Sequence, residues 1–174
     1  MIRDAIPTDA AAIAAIYNHY IERTTITFEA DALGDDDMRA RIAKARSGGY
    51  PWLVWDDAGE LRGYAYASKF RDRAAYRFTA EVTIYLAPGA SRQGIGSRLY
   101  SELIARLRAA GAHLVVGVVA LPNQASVALH ESLGFTHVGT FSESGRKFGR
   151  WIDVGFWQLR LDDGRPHAEE SATD

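Results

Sequence analysis

The strongest constraint on the fold lies in the middle of the chain, where two strand-like segments flank an amphipathic helix. The segment "AEVTIYLA" (80–87) has strand composition and is broken by a Pro-Gly pair. Apolar side chains then recur at helical spacing between Gly94 and Ala110, and "HLVVGVVA" (113–120) follows as an almost continuous apolar run. Such a run is typical of a strand buried on both faces, so the pattern predicts a sheet with helices packed against it.

The rest of the chain supplies further elements of both kinds. Thr8 and Asp9 are expected to cap a first helix, and residues 34–49 form a second, with acids first and bases last. Aromatic-rich runs around a DDAG turn in residues 50–70 predict a hairpin, and a short helix and two strands joined by "SGRKFGR" follow near the end. The sequence thus predicts one α/β domain over residues 1–161, in the order α-α-β-β-β-α-β-α-β-β with a mixed sheet. Residues 162–174 are predicted to be a flexible C-terminal tail.

The composition excludes several classes of protein. The chain has 174 residues, which suits one domain, and its net charge of −2 lacks the basic excess of a nucleic-acid-binding protein. It has no cysteine, and His19, His113 and His137 show no metal-ligand spacing. Its longest apolar run, residues 114–121, is far shorter than the roughly 20 residues of a membrane helix. We therefore expect a cytoplasmic protein with no membrane, nucleic-acid or metal partner.

The glycine-rich segment "SRQGIGSRLYSEL" (91–103) opens the central helix. It fits neither common nucleotide motif, because Leu99 stands where the dinucleotide fingerprint has its third glycine and the Gly-Lys-Ser/Thr ending of a P-loop is missing. Backbone N–H groups from about Arg92 to Ser97 lie at the positive end of a helix, where a pyrophosphate is stabilised. A tight strand-to-helix turn without a ligand explains the glycines equally well.

A second motif follows the next predicted strand. In "PNQASVALHESLGF" (122–135), an Asn begins a short helix, a small residue comes three positions later and a Gly ends the helix. Together with the glycine loop, this resembles the GNAT family of N-acetyltransferases over residues 1–161. The resemblance implies a GNAT fold, with a mixed, mostly antiparallel central sheet flanked by helices, and acetyl-CoA as cosubstrate. In these two motifs the implied cofactor-binding residues are Arg92, Gln93, Gly94, Ile95, Gly96, Ser97, Asn123 and Ser126.

Four further stretches are similar to the phosphinothricin and the methionine sulfone or sulfoximine acetyltransferases. They are "IYNHYIERTTITFE" (16–29), "YPWLV" (50–54), "TAEVTIYL" (79–86) and "WIDVGFWQL" (151–159). In that subfamily the acceptor is a small amino-acid analogue, acetylated on its α-amino nitrogen, and the enzymes are usually homodimers.

This second resemblance also implies catalytic roles. An amine attacks a thioester only when it is neutral, so a base is needed, and Glu81 aligns with the catalytic glutamate of the subfamily. Backbone N–H groups near the strand end are expected to bind the cofactor and its thioester oxygen, at Ile84, Tyr85 and Leu86. His130 takes a position where many family members carry a Tyr, and either gives a proton to the leaving thiolate or packs beside the cofactor.

The acceptor is expected to bind at "FRDRAAYRFTAE" (70–81), because one guanidinium group can donate two hydrogen bonds to the oxygens of a carboxylate, phosphinate or sulfone. The expected substrate-binding residues are Phe28, Arg71, Arg73, Tyr76, Arg77 and Lys147. Phe148 and Ile152 stand where phosphinothricin-selective relatives tend to carry His, and "KFGRW" (147–151) is similar to the methionine sulfone and sulfoximine enzymes. We therefore expect turnover of methionine sulfoximine or sulfone at least as good as that of phosphinothricin.

Two alternatives stay open. In the first, the acceptor is a protein N-terminus or another amine such as an aminoglycoside, for which an open acidic groove is expected instead of "RDRAAYR" (71–77). In the second, the chain is a non-catalytic acyl-CoA-sensing module. Glu81 argues against the second alternative, although a glutamate alone does not establish turnover.

Overall fold

The computed structural model describes residues 1–161. The helices in this range are α1 (Ala10–Arg23), α2 (Asp35–Ser47), α3 (Ile95–Ala109) and α4 (Gln124–Ser132). The strands are β1 (Ile2–Asp4), β2 (Trp52–Asp57), β3 (Glu60–Lys69), β4 (Thr79–Leu86), β5 (Leu114–Leu121), β6 (Thr136–Lys147) and β7 (Arg150–Arg160). None of these helices is long and apolar enough to cross a bilayer. The predicted tail, residues 162–174, lies outside the described residues.

The strands form one sheet in the order β1-β2-β3-β4-β5-β7-β6. Neighbouring strands are antiparallel except β4 and β5, which run parallel because α3 crosses between them. The predicted α/β fold, with a mixed, mostly antiparallel sheet flanked by helices, is confirmed.

Each face of the sheet is covered by its own helices. On one side, which we call the α3 face, Leu99 and Leu103 of α3 belong to a core with Val82 and Val115 of the sheet, and α4 packs against it. On the other side, the α1 face, α1 and α2 share a second core with β2 and β3. The apolar faces predicted for the helices are the faces they bury.

The start of the chain differs from the sequence prediction in two ways. The sequence pattern misses β1, which is only three residues long and pairs with β2 at the edge of the sheet. Asp9 is the N-cap residue of α1, but its side chain accepts no hydrogen bond from the helix. Its carboxylate instead accepts two bonds from the Arg3 guanidinium, at 2.7 and 2.9 Å, and one from the Ile6 N–H. The Asp9 carboxylate, which was expected to cap the helix, is therefore paired with Arg3 on β1.

The last hairpin is longer than the sequence predicts. β6 continues through part of the predicted connection and ends at Lys147. A bulge interrupts its pairing with β7 between Phe141 and Gly145, and the pairing resumes after it. In the bulge, Glu143 has a φ of 52° and donates its N–H to Asp153 Oδ1 at 2.8 Å. The Ser-Glu-Ser-Gly composition of the bulge resembles that of a turn, so the sequence pattern ends the strand too early.

Candidate active site

An opening in the sheet lies between β4 and β5. The two strands pair through Thr79–Val82 and Leu114–Gly117, and their pairing ends there. The gap continues into a cavity of about 340 Å³ between the strands and α4, a size typical of small-molecule sites. The residues that line it are Tyr20, Ile26, Val82, Thr83, Ile84, Tyr85, Leu86, Ser91, Tyr100, Val118, Val119, Ala120, Asn123, Ala125, Ser126, Leu129 and His130.

The end of β4 presents backbone donors to this opening. The N–H of Ala87 donates to the carbonyl of Arg62 in β3, and alternation along the strand places the N–H of Tyr85 in the same ladder. The N–H groups of Ile84 and Leu86 therefore point the opposite way, into the gap beside β5. Of the three residues predicted here, two offer backbone donors to a ligand.

The predicted glycine loop leads into the N-terminus of α3. Gly94, the N-cap residue, has a φ of 74°, in the left-handed region that favours glycine, and it provides no side-chain cap. Within residues 1–161, the N–H groups of Ile95, Gly96 and Ser97 have no hydrogen-bond partner. These donors and the helix dipole would stabilise an anion at this end of α3.

The same loop is in close contact with the cavity wall. A Cβ placed on Gly96 would lie 3.6 Å from the side chains of Leu86 and Leu129, so α3 starts directly against β4 and α4. Ser91 lines the cavity, whereas residues 92–97, which comprise the loop and the first three residues of α3, are not part of its wall. The Gln93 side chain is used within the loop, since its Nε2 donates to Gly89 O at 3.1 Å.

Asn123 caps α4 beside the cavity. Its side-chain oxygen accepts the Ser126 N–H at 3.1 Å, as is usual for an N-cap residue. Both residues line the cavity, so the structure brings this predicted pair together. The amide nitrogen of Asn123 takes no part in the cap and carries two hydrogens that a ligand can accept.

His130 is buried on the α3 face, where its ring lies against Gly117 of β5. Its Nδ1 is 2.7 Å from Ser126 O, which can only accept, so Nδ1 carries the hydrogen in the neutral ring. Nε2 lies 3.1 Å from the Tyr100 hydroxyl, which is also 3.1 Å from Val82 O. Burial lowers the pKa of His130 despite the hydrogen bond to Ser126, so the ring is neutral at pH 7.

Glu81 lies at the foot of the opening, directed to the other face. Its neighbours Ala80 and Val82 belong to the core of the α3 face, so alternation along β4 points Glu81 to the α1 face. Val82 is the last residue of β4 that pairs with β5. Glu81 is half-buried, and this burial raises the pKa of its carboxyl above the ordinary value. Glu81 and His130 thus flank the opening from opposite faces.

The predicted arginines lie on the segment that joins β3 to β4, residues 70–78. Arg71, Arg73 and Arg77 are exposed and do not line the cavity. The Arg71 guanidinium lies 5.1 Å from the ring centre of Phe70, and that of Arg77 lies 4.4 Å from the ring centre of Phe78. Because β4 starts at residue 79, this segment lies at the same end of the strand as Glu81.

The loop between α1 and α2, residues 24–34, approaches the site from the α1 face and is called the 24–34 loop below. It contributes Ile26 to the cavity wall and carries the predicted Phe28, which is partly exposed and outside the wall. Lys147 is buried, and its Nζ donates to Thr27 O at 2.8 Å. The predicted Lys147 therefore contacts this loop.

Several residues of the cavity wall are outside the predicted set, among them Tyr20, Ile26 and Tyr100. The two tyrosines fit the apolar faces of predicted helices, so the sequence pattern assigns them to the core. In the structure the Tyr20 hydroxyl donates to Leu86 O at 2.7 Å. A hydroxyl group on an otherwise apolar helix face is the sequence signal that would have identified Tyr20 and Tyr100 as site residues.

The described histidines do not form a metal site. In residues 1–161 no three His, Asp or Glu side chains are grouped so that they could hold a metal ion.

Comparisons with known proteins agree with this geometry. The family model described as an acetyltransferase (GNAT) domain matches residues 2–155. A phosphinothricin N-acetyltransferase from Streptomyces viridochromogenes is 42% identical over 157 residues, which are 90% of this chain and 85% of the relative. An L-methionine sulfoximine/L-methionine sulfone acetyltransferase from Salmonella typhimurium is 40% identical over 163 residues, 93% of this chain and 95% of the relative.

A solved structure extends the likeness to the fold. The crystal structure of a GNAT superfamily phosphinothricin acetyltransferase from Sinorhizobium meliloti in complex with acetyl-CoA has a TM-score of 0.92 and 38% identity, and the match covers 99% of this chain and 95% of that one. The resemblance found in the sequence is thereby confirmed, and the chain belongs to the GNAT family of acetyltransferases.

Proposed function

We propose that the protein transfers the acetyl group of acetyl-CoA to the α-amino group of a small amino-acid analogue such as methionine sulfoximine, methionine sulfone or phosphinothricin. The observation that carries the proposal is Glu81, a half-buried carboxylate at the foot of an opening that has backbone donors on its rim. The acceptor class is supported by the names of two relatives of about 40% identity.

Acetyl-CoA is proposed to bind from the α3 face. The N–H groups of Ile95, Gly96 and Ser97 supply donors for its pyrophosphate, with Arg92 as an additional charge, and the free amide hydrogens of Asn123 serve the pantetheine arm. The N–H groups of Ile84 and Leu86 supply donors for the thioester oxygen, which gains negative charge as the amine attacks.

Glu81 is proposed to be the general base. An α-amino group with a pKa near 8 is mostly protonated at pH 7, and Glu81 takes one proton from this ammonium. The neutral nitrogen then bonds to the thioester carbon while the C–S bond breaks. The proton that nitrogen loses on acylation ends on the sulfur of CoA. A carboxylate with a raised pKa is a stronger base for the first step than an exposed glutamate.

His130 is proposed to have a positioning role rather than to donate a proton to the leaving thiolate. In its neutral tautomer, His130 has no hydrogen on Nε2, so it cannot donate from that atom. The Tyr100 hydroxyl lies 3.1 Å from this nitrogen and 3.1 Å from Val82 O, and its one hydrogen is directed to these two acceptors. His130 and Tyr100 therefore hold the cavity wall, and the sulfur takes its proton from the reacting nitrogen.

The acceptor is proposed to bind on the α1 face. Arg71, Arg73 and Arg77, with Tyr76, supply cations and a hydroxyl for its acidic groups, close to the start of β4. Phe28, on the 24–34 loop, supplies an apolar wall. The basic character of this segment favours an acidic amino-acid analogue over a peptide N-terminus.

One experiment tests these assignments: release of free CoA from acetyl-CoA with methionine sulfoximine, methionine sulfone, phosphinothricin or a peptide as acceptor. The chain has no cysteine, so a thiol reagent detects CoA without a protein background. We expect turnover of methionine sulfoximine or sulfone at least equal to that of phosphinothricin. Release with the peptide alone would move the acceptor to protein N-termini, and cofactor binding without any release would indicate a sensing module.

A homodimer is proposed as well, since Phe141 on the edge strand β6 and Trp151 on β7 are 63% and 59% exposed, and large exposed apolar surface favours association. Light scattering after size exclusion measures this, and a monomer at micromolar concentration would contradict it. The cytoplasmic location stays a prediction from the sequence.

A further inference from the structure

The 24–34 loop is held at several points by the helices that it connects. The Tyr17 hydroxyl and Thr27 Oγ1 are hydrogen-bonded at 2.7 Å, and the Arg41 guanidinium donates twice to the Glu29 carboxylate, at 2.6 and 2.9 Å. Asn18 closes the end of the loop, since it both donates to and accepts from the backbone of Leu33. These contacts fix the loop to α1 and α2.

Two residues of β6 connect the loop to the sheet. A Cβ placed on Gly145 would lie 2.3 Å from two ring atoms of Phe28, so the ring rests directly on the backbone of this glycine. One residue earlier in the loop, Thr27 O accepts a hydrogen bond from Lys147 Nζ at 2.8 Å. Gly145 and Lys147 are two residues apart on the strand, so they share a face, and this is the α1 face, where Glu81 also lies.

The bulge in β6 explains why a glycine occupies this position. Phe141 pairs with Val154, and without an interruption Glu143 would come to lie opposite Ile152. The bulge shifts the register so that Gly145 takes that place, while Glu143 is exposed and its backbone is held by Asp153. As a result, the residue under the Phe28 ring is a glycine and not a glutamate with its bulky acidic side chain.

We propose that Gly145 is a positioning residue of the acceptor site: the space above its backbone receives the Phe28 ring, and Lys147 anchors the adjoining Thr27 carbonyl, so that β6 sets the depth at which the 24–34 loop closes the site. The inference rests on the proposed function, which places the acceptor on this face. It adds a role for two residues of β6 that act through their contacts with the 24–34 loop.

The effect of a side chain at this position follows from the geometry. With alanine at 145, the Phe28 ring must move by about 1 Å to reach an ordinary contact of 3.4 Å. Misplacement on this scale is enough to reduce reaction rates by about 10²-fold when it affects the reacting groups. The cofactor side is formed by α3, α4 and the end of β4 and does not depend on this contact.

The test compares Gly145→Ala with Gly139→Ala, a matched change in the same strand where no atom lies within 4 Å of the added Cβ. We expect Gly145→Ala to raise the KM for methionine sulfoximine about 10-fold or more and to leave the KM for acetyl-CoA within about twofold. Gly139→Ala should match the wild type. Adding Phe28→Leu to Gly145→Ala should recover part of the acceptor KM, because the smaller side chain relieves the overlap.

A second measurement is independent of turnover. Hydrogen exchange of the peptide covering residues 24–34, in the protein without ligands, should be faster in Gly145→Ala and in Lys147→Met than in the wild type and Gly139→Ala. This difference is expected even if none of the analogues proves to be an acceptor. In that case the proposed function fails, and only the positioning of the 24–34 loop by β6 stands. Unchanged exchange in both variants, or equal losses for acceptor and cofactor with no recovery by Phe28→Leu, would overturn the inference.

Discussion

At the scale of single residues, the site depends on placing one carboxylate in a partly desolvated position. Glu81 is directed to the α1 face, one residue before the pairing of β4 with β5 ends. Water therefore reaches its carboxylate less easily than it reaches a side chain on an edge strand. Burial destabilises the charged form, and the same effect makes the carboxylate a better proton acceptor. Function and stability therefore place opposite demands on this residue.

The first consequence concerns catalysis. Glu81→Gln should lower kcat by about 10²-fold or more near neutral pH, because the amide cannot take the ammonium proton. In the wild type, kcat should fall as the pH drops through the raised pKa of Glu81, at a higher pH than for an ordinary glutamate. Initial rates of CoA release between pH 5 and 9 measure both effects. Undiminished turnover by the Gln variant would remove Glu81 from the mechanism.

The second consequence concerns stability. The pKa of Glu81 is higher in the folded than in the unfolded protein, so the folded protein binds this proton more tightly. Protonation therefore stabilises the fold fully below the unfolded pKa, and this stabilisation is lost as the pH rises through the folded pKa. Glu81→Gln should therefore raise Tm at pH 7.5, and the gain should shrink as the pH approaches 4.5. Thermal unfolding at both pH values measures the gain, with Glu22→Gln on the exposed side of α1 as the control. A gain that grows toward acid pH would contradict the argument.

Acceptor recognition is the third matter at this scale. Arg77→Ala should raise the KM for methionine sulfoximine more than the KM for acetyl-CoA, because the proposal assigns this guanidinium to the acceptor. Arg39→Ala, on exposed α2, serves as the control and should leave both constants unchanged. Steady-state kinetics with each substrate varied in turn distinguish the two ligands. The reverse pattern would assign Arg77 to the cofactor.

At the scale of elements, α4 links the cap at its start to the histidine in its last turn. Asn123 caps the helix through the Ser126 N–H, and the Ser126 carbonyl in turn fixes the tautomer of His130. The helix is only nine residues long, so its first turn carries much of its stability.

Substitutions at this cap separate two roles of one residue. Asn123→Ala should lower the free energy of unfolding by about 1 kcal/mol, the usual effect of losing an N-cap. Asn123→Asp keeps the acceptor for the Ser126 N–H and should retain that stability, yet it loses the amide donor and should raise the KM for acetyl-CoA. Urea unfolding without ligands and steady-state kinetics measure the two effects. Equal stability of the Ala variant and the wild type would mean that the cap is dispensable.

At the scale of the whole molecule, the proposed function assigns the cofactor and the acceptor to opposite faces of the sheet. Acetyl-CoA binds only the folded protein in this scheme, so at 100 times its Kd it should add about 2.7 kcal/mol of stability. For a chain of this size, that corresponds to a rise in Tm of about 5–10 °C. Thermal unfolding over a range of acetyl-CoA concentrations measures this without turnover. A Tm that is independent of millimolar acetyl-CoA would contradict cofactor binding.

The sequence predicts those features of the molecule that depend on local patterns. The periodicity of α1 and α3, the buried run of β5 and the stops at glycines are visible along the chain, and they are enough to predict the fold class. The Asn123–Ser126 cap is predictable for the same reason, because both residues lie within one helical turn.

What the sequence does not predict depends on contacts between distant segments. β1 is too short to carry a pattern and is held by pairing with β2. Tyr100 and His130 are brought within 3.1 Å by the packing of α3 on α4, and the Phe28 ring meets Gly145 only because a bulge shifts β6. Periodicity reports which face of an element is buried, but it does not report which residue of another element it meets.

The cavity at the opening between β4 and β5 is lined by Tyr20 and Ile26 from one face of the sheet and by Asn123 and Ser126 from the other. On the proposed function, an acetylated amino acid can leave from the α1 face while CoA still occupies the α3 face, and neither product has to pass the other. Free CoA then competes with acetyl-CoA alone, whatever the supply of acceptor. The rate in a cell would therefore follow the ratio of acetyl-CoA to CoA, and the enzyme would slow when acetyl groups are scarce even if its acceptor is abundant.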